Sequence, residues 1–354
     1  METIANLIKN EADRCVKCGL CLPYCPTYIK TQHEGESPRG RIALLRGLAE
    51  NALALTTSTQ TYINHCLSCR TCEVVCPAKV SYGKLFIHGQ ALMEEKLSSS
   101  PAAQKRSFLK KLILFILPRL KYLRKKYPEN KKARIALIPG CIHTFFEKQL
   151  FKDILKVLNY FSVSYSVLNN FTCCGGLHQH AGEDQKSNAL KNHNKILFDP
   201  FDTVLIPATG CTAVLYEQFG DKIQDITVYL NQFDFLPKSP QISHKILLHS
   251  PCTLKNVLHQ ENMPEKLLQK IPGIEMIKLD YPHCCGASGS YFLEYPQMAE
   301  KLAENLLKEV KQISPSVFVT SNIGCALHLR RLFKKYQIHI PIKHPVNILA
   351  AVLQ

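Results

Sequence analysis

The sequence predicts a multidomain chain: a small head that wraps metal clusters, followed by two tandem α/β domains rich in cysteine. Three observations predict it. Half of the 16 cysteines lie near the N-terminus in two runs of one pattern. The other half lie in two copies of a second pattern, offset by roughly 110 residues. Within those copies, short apolar, β-favouring runs alternate with helical stretches, as in a parallel sheet with helical crossovers. The patterns divide the chain into a head (1–100), a connector (101–134), and two cysteine-rich domains (135–238 and 239–354).

Composition agrees with several folded domains. The 354 residues exceed what one core usually organises, and 46% of them are hydrophobic. With 16 Gly and 20 Pro, neither a collagen-like nor a disordered chain fits. The longest apolar runs, Leu112 to Leu117 and Ile348 to Leu353, are far short of the ~20 residues of a membrane-spanning helix. Met1 to Arg14 has no apolar core with a small-residue cleavage site, so a cytoplasmic location is expected. In that reducing compartment 16 cysteines read as metal ligands rather than disulfides.

In the head, Cys15, Cys18, Cys21 and Cys25 precede Pro26, and Cys66, Cys69, Cys72 and Cys76 precede Pro77. Both runs read C-x2-C-x2-C-x3-C-P, the two-cluster 4Fe-4S pattern. A loop with cysteines every third residue can reach three irons of a cubane but not the fourth, so the other run supplies the last thiolate. The motif therefore assigns one cubane to Cys15, Cys18, Cys21 and Cys76, and the other to Cys66, Cys69, Cys72 and Cys25. Structural zinc also uses Cys-x2-Cys pairs, but two pairs do not explain a third cysteine and a Cys-Pro in each run. Arg41 to Leu55, apolar with Gly47 as its one breaker, reads as a helix between the two cluster loops.

The connector carries twelve Lys and Arg residues against one acid, Glu129, and so holds much of the chain's net charge of +16. Leu109, Leu112, Ile113, Ile116, Leu117, Leu120 and Leu123 recur at helical spacing, with Pro118 a kink or break. This basic amphipathic segment (105–126) suits an anionic membrane surface or a place against the body of the protein. Nucleic acid is not expected as a partner, because no zinc-finger, helix-turn-helix or aromatic RNA-binding signature accompanies the charge.

The body repeats. Ile135 to Leu137 leads to Cys141, then come Cys173-Cys174-Gly175, and Val204 to Ile206 leads to Cys211. In the second copy Ile246 to Leu248 leads to Cys252, then come Cys284-Cys285-Gly286, and Val317 to Thr320 leads to Cys325. In both copies 31 residues separate the first cysteine from the pair. Each lone cysteine falls where a strand ends and a helix begins, with Gly210 and Gly324 expected to permit a sharp turn. Parallel strands gather such ends on one edge. Each copy is thus expected to assemble four thiols: Cys141, Cys173, Cys174 and Cys211, and Cys252, Cys284, Cys285 and Cys325. Zinc or a further iron–sulfur cluster fits that ligand count, and buried filler is the alternative. His178 and His180 follow the first pair where Gly289 and Tyr291 stand after the second, so the copies are not equivalent. These histidines, with His328 and His344, read as ligands, donors behind ligands, proton carriers or solvated surface groups.

The paired runs, Ser37-Pro-Arg-Gly-Arg41, Cys173-Cys-Gly-Gly-Leu-His-Gln-His180, Cys284-Cys-Gly-Ala-Ser-Gly289 and Asn322-Ile-Gly-Cys325 together resemble the iron-sulfur subunit of bacterial glycolate oxidase. The resemblance spans essentially the whole chain. Its cysteine motifs are shared with heterodisulfide reductase subunits, lactate-utilisation proteins and the iron-sulfur subunit of anaerobic glycerol-3-phosphate dehydrogenase. It implies a helical ferredoxin-like head with two 4Fe-4S clusters and two cysteine-rich Cys-Cys-Gly domains, in an electron-transfer subunit of a glycolate dehydrogenase complex. A partner subunit would carry FAD and oxidise glycolate to glyoxylate, and a membrane quinone would take the electrons. No dinucleotide fingerprint or hydrolytic triad is present, so no catalytic residue is assigned to this chain. One departure matters. In heterodisulfide reductases each repeat ends in Cys-x2-Cys, whereas here Cys211 is followed by Thr212-Ala-Val214 and Cys325 by Ala326-Leu-His328. The five-cysteine cluster and disulfide reduction are therefore not carried over. The alternatives are a subunit of a D-lactate or glycerol-3-phosphate dehydrogenase, a stand-alone thiol or disulfide reductase acting at the Cys-Cys-Gly sites, or a zinc-stabilised scaffold.

Overall fold

The computed structural model describes residues 3–98, 125–235, 244–279 and 284–353. The apolar stripe of the connector lies outside them. Residues 125–134 are irregular, and the Tyr127 backbone is held at both its N–H and its C=O by the Asn169 side chain. Among the described residues no helix is long and apolar enough to cross a membrane.

Two compact units are present. The first comprises the head together with segments 176–188 and 284–304. Its helices are α1 (Ile4–Asp13), α2 (Pro26–Thr31), α3 (Pro38–Ala49), α4 (Thr57–Asn64), α5 (Thr71–Val74) and α6 (Tyr82–Ser98). Their starts follow local chemistry. Thr3 accepts from Asn6 N–H to cap α1, and Ser37 accepts from Gly40 N–H to cap α3, where Pro38 takes the first turn without losing a needed donor. The helix expected over Arg41 to Leu55 starts earlier and stops at Ala49. The chain folds back so that Leu53 packs on Gly47, where a Cβ would come within 2.6 Å of the leucine side chain, and Asn51 adopts a left-handed conformation. Ile8, Ile42, Leu45, Leu48, Ile63 and Leu85 form the core of this unit, and Cys15, Cys66, Cys72 and Cys76 pack against its edge. At Gly89 the α6 backbone comes so close to Leu45 that a Cβ would lie 2.5 Å from its methyl carbon.

The second unit holds two four-stranded parallel sheets, as the repeat predicts. In the first sheet, β1 (Ile135–Leu137), β2 (Tyr165–Val167), β3 (Thr203–Ile206) and β4 (Ile223–Asp225) lie in the order β2-β1-β3-β4. In the second, β5 (His244–His249), β6 (Ile274–Lys278), β7 (Val317–Thr320) and β8 (Ile342–Lys343) lie in the order β6-β5-β7-β8. Leu137 pairs with Val167 on one side and Leu205 on the other, and Leu248 pairs with Lys278 and Val319. Leu137, Val167 and Leu205 share one apolar core with Ile246, Val319 and Leu349, so the two copies bury their sheets together. In each sheet the strand order reverses beside the first strand. The crevice between β1 and β3, or between β5 and β7, is where such folds place their sites.

The last helix, Pro345–Val352, begins at buried His344. Its Nδ1 accepts from Val346 N–H, while its own N–H donates to Asn347 Oδ1. Burial, with the neighbouring His143 adding to it, pushes the His344 imidazole down to about 3, and burial beside Arg330 brings His143 to about 3 as well. Protonated Nδ1 cannot accept, so the cap requires neutral imidazole. A histidine depressed from ~6.5 in the unfolded chain contributes stability that is complete above about pH 6.5 and is lost as pH falls toward 3, by up to about 1.4 kcal/mol per pH unit. Thermal melts between pH 7 and 4 should show this slope reduced in His344→Asn, whose amide caps without titrating. An unchanged slope would remove His344 as its source.

Candidate metal centres

The two head loops share a backbone design. Lys17 and Gly19 in the first, and Ser68 and Arg70 in the second, all have positive φ, at matching positions around the second cysteine of each run. Left-handed residues on both sides of Cys18 and Cys69 curl each loop around a hollow, turning amides inward. Ser68 N–H donates to Cys66 Sγ at 3.4 Å. A Cβ on Gly19 would meet Arg39 Nη1 at 2.9 Å, but that is the far end of a flexible side chain that can shift, so the constraint at Gly19 is its φ.

Each hollow gathers cysteines from both runs. Cys15, Cys18, Cys21 and Cys76 line one cavity, and Cys25, Cys66, Cys69 and Cys72 line the other, with Pro38, Cys72 and Tyr82 lining both. All 16 cysteines are free thiols. Burial pushes the Cys21 and Cys69 thiols up to about 11 and raises those of Cys66 and Cys72, so without a cation these sites hold protons. A metal that binds as thiolate must displace them. Four sulfurs converging on a hollow with inward amides form the donor set of a cubane.

The surroundings of the two cavities differ. Cys18 is exposed, between outward-facing Val16 and Leu20. Around the second cavity Cys25 is buried, and Leu67 is buried among Tyr291, Ala299 and Leu302. Ser288 donates to Leu67 C=O at 2.7 Å, and Cys284 packs in the same cluster as Cys69. Sulfur contacts are dense here. Tyr82 OH donates to Cys66 Sγ, Thr71 OH donates to Cys69 Sγ, both at 3.5 Å, and the Thr27 hydroxyl lies 3.3 Å from Cys25 Sγ.

Arg41 was not singled out from the sequence beyond its place in the Ser-Pro-Arg-Gly-Arg run. It is 1% exposed, and every guanidinium nitrogen has a partner. Nε donates to Tyr62 C=O at 2.7 Å, Nη2 to Glu36 Oε2 at 2.7 Å, and Nη1 to Thr27 Oγ1 at 3.0 Å and Cys25 Sγ at 3.9 Å. His65 Nδ1 lies 2.6 Å from the other Glu36 oxygen. Burial by itself disfavours the charged guanidinium, but the groups around it that can carry negative charge, Cys66, Tyr82, Cys25 and Glu36, outweigh that and raise its pKa.

In the first cysteine-rich domain the structure brings Cys141, Cys173, Cys174 and Cys211 together. Cys141 follows β1, the pair follows β2, and Cys211 sits in the first turn of the helix after β3, Thr209–Phe219. Cys174 Sγ is 3.3 Å from Cys211 Sγ, and Cys173 is hydrogen-bonded to both Cys141 and Cys174. The bond to Cys141 favours the Cys173 thiolate, but the contact with Cys174 and burial outweigh it and push the thiol up to about 12. The helix after β3 needs no strained turn, because Gly210 is not left-handed. A Cβ there would make only ordinary contact with Asn322, at 3.5 Å, and Gly324 likewise has ordinary φ. His178 is buried and paired with Glu183 at 2.7 Å, so the solvated reading fails for it. His180 is half-buried, with its ring edge on Phe86.

In the second cysteine-rich domain, Cys252 opens the helix Cys252–Asn256 after β5, and buried Cys325 lies in the first turn of Ile323–Lys335 after β7. Asn322 caps that helix by accepting from Gly324 N–H. The ligand atoms of Cys325 and His249 lie within 4.8 Å of each other, and His249 Nδ1 is 3.1 Å from Thr320 Oγ1. His249 was missed from the sequence. The signal lay in comparing the copies, because Ile138 stands at the matching place three residues before Cys141. Cys284 accepts from Gly286 N–H at 3.3 Å, as Cys173 does from Gly175 N–H at 3.4 Å. His328 is buried one turn beyond Cys325, and His344 is the helix cap, so neither is a solvated surface group.

The fold and its cysteine hollows define a class that comparison with known proteins also finds. Residues 11–80 match the 4Fe-4S dicluster domain, and residues 135–216 and 246–330 match the cysteine-rich domain. The chain is an iron–sulfur protein with one dicluster domain and two cysteine-rich domains. Among its relatives, the glycolate oxidase iron-sulfur subunit of Escherichia coli (strain K12) is 27% identical, with 89% of each chain covered. A subunit of the dihydromethanophenazine:CoB–CoM heterodisulfide reductase of Methanosarcina barkeri is 24% identical, over 90% of this chain and 88% of that protein. These are subunits of oxidoreductases, and the likeness is distant. A crystal structure of a hypothetical protein from Helicobacter pylori shares the fold, with a TM-score of 0.52 and 12% identity over 89% of this chain and 72% of the other.

Gly19→Val should strain the first loop through φ, because a β-branched residue is disfavoured in the left-handed region. Iron analysis of anaerobically purified protein should show about four irons fewer than the parent, with the second cavity still filled. Full iron content would show that the left-handed turn is dispensable.

Proposed function

We propose that this chain is the electron-transfer subunit of a glycolate dehydrogenase complex. Cys15, Cys18, Cys21 and Cys76 would hold one cubane, and Cys25, Cys66, Cys69 and Cys72 the other. A partner FAD subunit would oxidise glycolate to glyoxylate and pass electrons on through this chain. When bound, each cubane takes up and releases one electron at a time, which divides the two-electron output of a flavin.

The observation that carries this reading is the shared wall of the two cavities. Pro38, Cys72 and Tyr82 touch both, so the two sites are one layer of side chains apart. The first loop, with exposed Cys18, Val16 and Leu20, presents its site toward solvent, where a donor can approach. At the second, Leu67 lines the cavity and is itself buried against Tyr291, and Cys25 is buried. The glycolate assignment rests on the sequence motifs and on the named relative; lactate and glycerol-3-phosphate dehydrogenases are the alternatives for the substrate. In the cysteine-rich domains, the first four-thiol set fits zinc or an iron–sulfur group, and segment 105–126 is proposed to hold the complex on an anionic membrane that supplies a quinone.

The isolated chain, prepared without oxygen, should be brown, carry about eight irons in the head and show paramagnetic signals on reduction. It should oxidise glycolate only when its flavoprotein partner is added. Turnover by the chain alone would defeat the electron-carrier assignment. Deleting 105–126 should shift the complex from the membrane to the soluble fraction, and an unchanged distribution would refute the anchoring role.

A further inference from the structure

The geometry points to Arg41 as the charge that sets the reduction potential of the second cluster and makes it the stronger electron acceptor of the two. This rests on the reading that Cys25, Cys66, Cys69 and Cys72 hold one cubane.

The guanidinium is buried, and its nitrogens are divided between opposite duties. Nη1 faces Cys25 Sγ at 3.9 Å, while the countercharge of Glu36 is bound at Nη2. The pair is thus a dipole with its positive end toward the sulfur, in a medium that screens it weakly. A cluster gains one negative charge on reduction, and a fixed cation against its ligand favours that state and raises the potential. Hydrogen bonds to sulfur act in the same direction, and Tyr82, Thr71 and the Ser68 N–H all donate to ligands of this cluster. At the first cavity Arg39 is the nearby guanidinium, but it lies at the surface, paired with Glu34 through Nε at 2.8 Å and donating to Lys17 C=O. Its charge is screened by water and salt. Electrons arriving at the exposed first site would therefore run downhill to the second.

Potentiometric titration followed by paramagnetic resonance on the whole chain tests this. Cys18→Ser and Cys69→Ser each mark which signal belongs to which loop. Arg41→Gln should lower the potential of the cluster marked by Cys69→Ser by at least about 59 mV, a tenfold change in its reduction equilibrium. Glu36→Gln, which keeps the hydrogen-bonding shape and frees the cation of its countercharge, should raise it. Arg41→Lys should recover much of the parent value. Opposite shifts on one cluster are not produced by loosened packing. If Arg41→Gln fails to hold its iron, Glu36→Gln alone decides, and an unchanged potential there overturns the proposal. A shift confined to the cluster marked by Cys18→Ser also overturns it. Parent protein with fewer than about eight irons would instead defeat the two-cluster reading itself.

Discussion

A loop with cysteines every third residue cannot close a four-sulfur cage on its own, and most of the head follows from that geometric shortfall. The two runs stand forty residues apart in the chain, yet Cys76 has to meet the first loop and Cys25 the second. The helices between them supply the approach. Ser37 starts α3 beside the first loop, Leu45 and Leu48 seat it in the core, and Gly89 lets α6 press against it. Neither cavity can form unless this small core packs, and the core is edged by the cysteines themselves.

The pair formed by Arg41 and Glu36 is costly by the standards of stability. Two charges have been taken out of water, and removing one partner of such a pair typically costs about 3–5 kcal/mol. An apolar pair of the same volume would serve packing at least as well. What an apolar pair cannot do is present a positive edge to a sulfur ligand. The network also reaches His65, next to Cys66, and Thr27, two residues beyond Cys25, so it touches the flanks of both runs.

The cysteine-rich domains bring their cysteines together by a different device. A parallel sheet whose strand order reverses beside its first strand leaves a crevice at the strand ends, and the chain places a cysteine at each lip. In the first copy this brings four thiols into contact. In the second, His249 comes beside Cys325 where the first copy has Ile138, so the repeat has kept its scaffold while the surroundings of its cysteines differ. The shared core of the two sheets explains why the scaffold tolerates this. Leu137, Leu205, Ile246 and Val319 pack together whatever stands at the crevice.

The sequence by itself determined the order of parts and the two parallel sheets, because cysteine spacing and strand periodicity are local and repeat. It misjudged what depends on neighbours far away in the chain. Gly210 was read as a sharp turn but has ordinary φ in the first turn of a helix, and His178 and His344 were open to a surface reading but are buried, one against Glu183 and one as a helix cap. Arg41 stood out only as the end of a short motif, and His249 as one more residue of a strand. Only the tertiary structure decided that one lies against Cys25 and the other beside Cys325. Burial and through-space charge are set by which elements pack together, and no spacing along the chain records them.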